Sequence, residues 1–244
     1  MTSQHIVKSF DDQLNKLDNT IAEMGGLAEH QLAEAMDALV RRDVEKAAAV
    51  AAADVRIDKL ESMVDQNAVA LLALRQPMAT DLRVVISALK TSGIIERVGD
   101  YAKNVAKRTL VLAELPPVPP GVSITRLGYL AQRMFKDVLD AYSARDVEKA
   151  ELVRLRDEEV DALYTSIFRE LLTYMMEDPR NITPCTHLLF VAKNMERIGD
   201  HATNIAENVH YMVRGEIFAA ERPKHDESAF AVVTPGDPAG VEGE

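Results

Sequence analysis

One cysteine, no tryptophan and only 5% aromatic residues leave several kinds of protein out of reach. With Cys185 alone there is no intrachain disulfide, so the chain is not a disulfide-framed secreted module. A catalytic or redox thiol needs an activating neighbour, and the nearest in sequence is His187. No stretch approaches the roughly 18–20 apolar residues of a membrane-spanning helix. The opening MTSQHIVKSFDDQL lacks the apolar core of a signal peptide. Positive charge is also scarce: 28 Lys and Arg face 39 Asp and Glu, a net charge of −11. General nucleic-acid binding needs the opposite sign to neutralise phosphates. The balance favours cations or basic patches on a protein partner. These absences together predict a soluble and, most simply, cytoplasmic protein.

What remains is helical. Hydrophobic residues make up 47% of 244 residues, enough for a substantial core, and straight-chain residues lose little rotamer freedom in helices. The prolines of ELPPVPPG, Glu114–Gly121, cannot continue a helix and form a stiff connector at mid-chain. Before it, one helix is expected over 9–42. A second, capped by Asp43 with Glu45 in its first turn, runs to Leu74 before Pro77. A third covers 79–113, with Ile94, Val98, Ala102, Val105, Thr109 and Leu112 on one stripe. RDVEKA at 42–47 recurs unchanged at 145–150, and ERVGD at 96–100 returns as ERIGD at 196–200. The expectation is an all-α fold of two similar three-helix bundles, six long helices in all, produced by internal duplication. The bundles span 5–115 and 122–218, joined by a linker at 116–121. The Pro-, Gly- and acid-rich 219–244 are expected to form a disordered tail.

The repeated motifs hold a local conflict. Glu96/Asp100 and Glu196/Asp200 set like charges four apart, repelling by a few tenths of a kcal/mol. Gly99 and Gly199 between them each cost about 1 kcal/mol against alanine. The preceding helix of each half adds Asp54/Asp58 and Asp157/Asp161 at the same spacing. Glu61 and Asp65 extend the first of these columns, where the second half has Tyr164 and Phe168. At about 100° per residue, the acids lie far from the apolar stripe and are expected outside the bundle core. A buried di-iron site is therefore excluded; it would also need two Glu-x-x-His pairs, and only Glu207–His210 fits. The plain reading is a solvated acidic face relieved by Lys46, Lys103, Lys107, Arg97 and Arg197. The alternative is that facing pairs on adjacent helices bind metal through oxygen. The glycines would then let helices close together, with Asn104 and Asn204 as supporting hydrogen-bond partners or as ordinary surface residues.

DLRVVISALKTSGIIERVGDYAKNVAKR in the first half and VAKNMERIGDHATNIAENV in the second resemble the PhoU family, the phosphate-specific transport system accessory proteins of bacteria. The resemblance covers roughly residues 5–215. It implies two three-helix bundles whose D/E-x-x-x-D motifs bind metal clusters. Those motifs fall on Asp54, Asp58, Glu96, Asp100, Asp157, Asp161, Glu196 and Asp200, with Mg, Mn, Fe or Zn as the candidate ions. It further implies a cytoplasmic, homodimeric, non-enzymatic negative regulator of phosphate uptake and phosphate-starvation signalling. Its implied partners are the phosphate transporter's ATP-binding subunit and the phosphate-sensing histidine kinase, with the membrane reached only through them. A metal-dependent phosphohydrolase and a metal-free helical scaffold are the alternatives. Against the hydrolase, neither G-x-x-x-x-G-K-[ST] nor G-x-S-x-G occurs.

Overall fold

A computed structural model describes residues 2–52, 55–119, 121–218, Asp226 and Ser228, and the side chains from Phe10 onward. The helices are α1 (Thr2–Arg41), α2 (Val44–Ala52), α3 (Val55–Arg75), α4 (Ala79–Leu112), α5 (Gly121–Ala144), α6 (Val147–Glu177) and α7 (Ile182–Arg214). No strand occurs among the described residues. The architecture is the expected all-α duplication: α1, α2–α3 and α4 pack as one half, and α5, α6 and α7 as the other. The second expected helix corresponds to α2 and α3, on either side of residues 53–54. Of the expected tail, only Asp226 and Ser228 belong to the described residues.

The repeated RDVEKA explains its own recurrence. Arg42 and Arg145 both adopt left-handed backbone, with φ of 57° and 54°. Asp43 N–H bonds back to Ala38 O and Arg42 N–H to Leu39 O; Asp146 and Arg145 repeat this with Ala141 O and Tyr142 O. That paired pattern satisfies the last carbonyls of α1 and α5. An L-residue in this conformation costs about 1–2 kcal/mol, and each arginine offsets the cost by a long-range contact. Arg42 donates to Leu112 O and Leu115 O; Arg145 pairs with Asp18 at 2.8 Å. The aspartate then caps the next helix, accepting from Lys46 N and Lys149 N at 2.9 Å. A lost cap of this kind costs about 1 kcal/mol. The lysine completes the corner: Lys46 reaches Asp37 at 2.7 Å and Glu34 at 3.2 Å. Lys149 likewise reaches Asp140 at 2.8 Å and Asp137 at 3.7 Å. Lys46 is thus committed to α1 and does not relieve the acids of the next helix, contrary to the sequence expectation.

The halves are joined by α1 on α5 and α4 on α7. Across the first contact, a Cβ at Gly25 would stand 2.9 Å from Leu139 Cδ2, and one at Gly128 would collide with the Met36 thioether. Gly25 and Gly128 occupy the same place in the two repeats, as do Met36 and Leu139. Each half therefore pushes one side chain into the other half's glycine. The second contact is antiparallel. Arg83 Nε donates to Met212 O and Ser87 Oγ to Asn208 O, both at 3.4 Å, while Arg108 meets His187 at 3.4 Å further along. Buried Ser87, Ala88, Thr91 and Ser92 keep α4 narrow enough for this approach. The α4 stripe is as expected save at one position: Ile95 is fully buried and Ile94 lies at the margin.

Gly128→Leu overpacks the α1–α5 contact and should cost about 1–3 kcal/mol, read as a lower urea midpoint. Adding Met36→Ala in the same chain should recover part of that loss; strictly additive losses would assign the effect elsewhere.

Candidate metal-binding seams

The acids of these pairs that are among the described residues sit along two helix–helix seams, α3 against α4 and α6 against α7. In the second seam Gly199 lets α7 approach α6: a Cβ there would lie 3.1 Å from Asp157 Oδ1 and 3.2 Å from Val160 Cγ1. Further along, Lys193 Nζ lies 4.8 Å over the Tyr164 ring. The helices are therefore antiparallel, and their register carries Asp161 to the level of Glu196. These acids are not on a solvated face, as the helical wheel predicts. Asp157, Asp161 and Glu196 are 1%, 2% and 5% exposed, because the seam closes over them. Asp200 is half-buried. Lys193 Nζ meets Glu196 Oε1 at 2.9 Å and Asp226 Oδ2 at 3.0 Å. Glu196 Oε2 is buried with no hydrogen-bond partner.

The electrostatics follow from one ammonium shared between two carboxylates. Burial disfavours the charge on Lys193, but hydrogen bonds to Glu196 and Asp226 outweigh this, and its pKa is pushed up to about 12. Glu196 receives only part of that ammonium. Its pKa is raised by burial, against the opposing pull of Lys193 and with Asp200 adding repulsion.

The first seam is more open. A Cβ at Gly93 would lie 3.6 Å from Glu61 Oε1, and the same antiparallel register sets Asp58 across from Glu96. Asp58 is exposed, Glu96 and Asp100 are half-buried, and Asp54 lies outside the described residues. Glu61 is raised by burial and by Asp65 and Asp58, with Arg97 opposing. Lys103 reaches Asp100 at 3.7 Å, a relief of the acids by an α4 lysine that the sequence anticipates. A cleft lined by Glu61, Lys90, Glu96, Arg97, Asn204 and Glu207 connects this seam to α7. Asn104 and Asn204 are exposed.

The donors are carboxylate oxygens, which suit hard cations, and two neighbouring helices supply them in each half. Among the described residues, however, no group of three or more His, Cys, Asp and Glu side chains is gathered closely enough to hold an ion. The seams hold facing carboxylates and no closed coordination shell. Glu207 belongs with Arg154, at 4.0 Å, and His210 with Glu216 O and the Phe218 ring, so this Glu-x-x-His pair is engaged elsewhere. Cys185 is fully buried, and burial raises its thiol pKa, the reverse of activation; His187 turns to Arg108.

Two contributors escape the sequence reading. Lys193 is one; the signal was its replacement of Gly93 at the equivalent repeat position. The other is the Tyr101–His201 stack at 5.5 Å between α4 and α7. These two residues follow the same GD dipeptide in each repeat. A position on the axis relating two halves meets its own counterpart, so the duplication itself was the signal.

A duplicated three-helix protein with carboxylate pairs at matching helix seams is the class that this geometry defines. The chain belongs to the PhoU family: the family model for the PhoU domain matches residues 21–109 and 124–209. It is similar to proteins named phosphate-specific transport system accessory protein PhoU homolog. The one from Caulobacter vibrioides is 54% identical over 225 residues, covering 92% of this chain and 98% of that one. The Rhizobium meliloti protein is 51% identical over 227 residues, 93% of this chain and 96% of its own. Among solved structures, PhoU from Pseudomonas aeruginosa superposes with a TM-score of 0.82 at 40% identity. It covers 85% of this chain and all of its own. The phosphate transport system regulatory protein PhoU from Streptococcus pneumoniae gives 0.80 at 29%, covering 86% of this chain and all of its own. No helix among the described residues is long and apolar enough to cross a membrane.

The raised Glu196 pKa has a sign. The folded chain holds that proton more tightly than the unfolded chain, so metal-free protein loses stability as pH rises past the ordinary value of 4.5. In chelator, the urea midpoint of Glu196→Gln should gain on that of the wild type from about pH 4.5 to about pH 7. A constant difference across that range would show that the buried carboxylate is not responsible.

Proposed function

We propose that this chain is a non-enzymatic, metal-loaded regulator of phosphate uptake and phosphate-starvation signalling. It acts in the cytoplasm as a homodimeric adaptor between the transporter's ATP-binding subunit and the phosphate-sensing histidine kinase, restraining both when phosphate is plentiful. The observation that carries the metal part is the pairing of carboxylates across α6 and α7, with Glu196 Oε2 buried and lacking a hydrogen-bond donor. A buried carboxylate oxygen in that condition is costly, and a cation between the helices would relieve it. Support for the regulatory part comes from the relatives' printed role as accessory proteins of phosphate transport.

The carboxylate donors and the unpartnered Glu196 Oε2 suit a cation. The side chains would have to gather around it, since no three of them are gathered closely enough among the described residues. Asp157, Asp161, Glu196 and Asp200 would hold metal in the second half, and Asp54, Asp58, Glu96 and Asp100 in the first. Mg, Mn, Fe or Zn would supply positive charge that ties neighbouring helices together. Gly199 allows the backbone approach that this needs in the second half, and the buried α4–α7 contact fixes the two seams relative to one another. The net charge of −11 suits a basic surface on a protein partner.

Metal analysis of protein purified without chelator should show a lower metal-to-protein ratio in Asp100→Ala/Asp200→Ala than in wild type. Equal content would remove these acids as ligands. Separately, the immobilised chain should enrich the phosphate transporter's ATP-binding subunit from a lysate of phosphate-replete cells. Failure to do so at either high or low phosphate would sink the adaptor assignment.

A further inference from the structure

The two seams are equivalent by descent but not in charge. Where the first half has Glu61, Asp65 and Gly93, the second has Tyr164, Phe168 and Lys193. Two carboxylates are lost, one ammonium is gained, and the three exchanges lie on the facing sides of one pair of helices. Lys193 Nζ stands 2.9 Å from Glu196 Oε1 and 4.8 Å from the Tyr164 ring centroid. Tyr164 therefore does more than remove a charge: its ring face attracts the ammonium that replaces it. Asp226, from beyond α7, closes the other side of the same ammonium at 3.0 Å. Ser228 N donates to Asp226 Oδ1 at 2.9 Å. In the first half a lysine at residue 93 would have room, since the nearest atom to its Cβ would be Glu61 Oε1 at 3.6 Å. Of the lysines near this seam, Lys103 lies 3.7 Å from a half-exposed Asp100, where solvent weakens its effect, and Lys90 lies 5.7 Å over the Tyr211 ring.

Building on the metal-binding reading above, we propose that Lys193 is a built-in counter-cation of the second seam, so that the two seams bind metal unequally. The first takes hard cations directly. The second takes them only as the Lys193 ammonium leaves Glu196, which also breaks its bridge to Asp226. Lys193 is thus a specificity-determining residue that sets the metal affinity of one half of a duplicated protein.

The test is Mn²⁺ binding followed by calorimetry and by electron paramagnetic resonance of free Mn²⁺. Asp100→Ala is the background, so that the second seam is read alone. Lys193→Gln should tighten binding there by about tenfold or more, since a unit charge is removed a few ångströms from the site. Lys193→Arg, which keeps the charge, should stay near the parent. In the reciprocal Asp200→Ala background, Gly93→Lys should weaken the first seam by a similar factor. An isotherm unchanged by Lys193→Gln overturns the counter-cation role and leaves the metal reading standing. Absence of Mn²⁺ binding in every form, wild type included, overturns both.

Discussion

A carboxylate placed between two packed helices must be matched by positive charge or held protonated, and much of this molecule is arranged around that constraint. Asp157, Asp161 and Glu196 enter the α6–α7 seam because Gly199 removes the Cβ that would keep the helices apart. Once the seam closes, water no longer solvates those acids, and the burden passes to whatever cation is present. Lys193 takes part of it. The remainder appears as the raised Glu196 pKa and its oxygen without a donor. The unfavourable i, i+4 acid spacing and the helix-weakening glycine are thus two sides of one arrangement, in which the glycine brings the acids to where a cation is needed.

Duplication distributes the costs. Structural elements recur in pairs: the left-handed Arg42 and Arg145, the caps Asp43 and Asp146, the clamps Lys46 and Lys149, and the reciprocal glycines Gly25 and Gly128. Each serves the same contact twice, so a change in one copy disturbs a packing relation the other copy still expects. Residues lining the seams are under no such tie. Glu61, Asp65 and Gly93 differ from Tyr164, Phe168 and Lys193, while the corner and the reciprocal glycine contacts are kept in both halves.

How much of this was legible beforehand depends on whether a feature is local. Helix order, the proline boundaries and the capping of α2 by Asp43 follow from short-range chemistry and match the structure. Spacing and repetition single out the eight acids in the sequence, but do not reveal the burial of Asp157, Asp161 and Glu196. A helical wheel measures angle from the owner's apolar stripe and is blind to a second helix leaning in at Gly199, so it set Glu196 among solvent-facing residues. The partner of Lys46 was misjudged for a related reason: its ammonium turns back to Asp37 on α1, across a corner whose geometry depends on left-handed Arg42. Ile95 displaces Ile94 from the stripe because one residue of helix phase, about 100°, exceeds what a short periodic pattern resolves.

The remaining step concerns rigidity. The α4–α7 contact is built from buried small residues and weakly directional hydrogen bonds near 3.4 Å, with the Tyr101–His201 stack beside both glutamate–aspartate pairs. Burial lowers the His201 pKa, with Arg97 adding to the effect, so the ring there is held neutral and does not add to the repulsion between the flanking arginines. The central pair of helices is thus joined through buried small residues, while the outer helices α3 and α6 carry the charged seams. On the metal-binding reading proposed above, a cation that drew α6 toward α7 would act on the flank of the molecule and leave the α4–α7 contact in place. On that same reading, a packed centre with charged flanks would let the carboxylate pairs influence the surface a partner meets without loosening the fold that carries them.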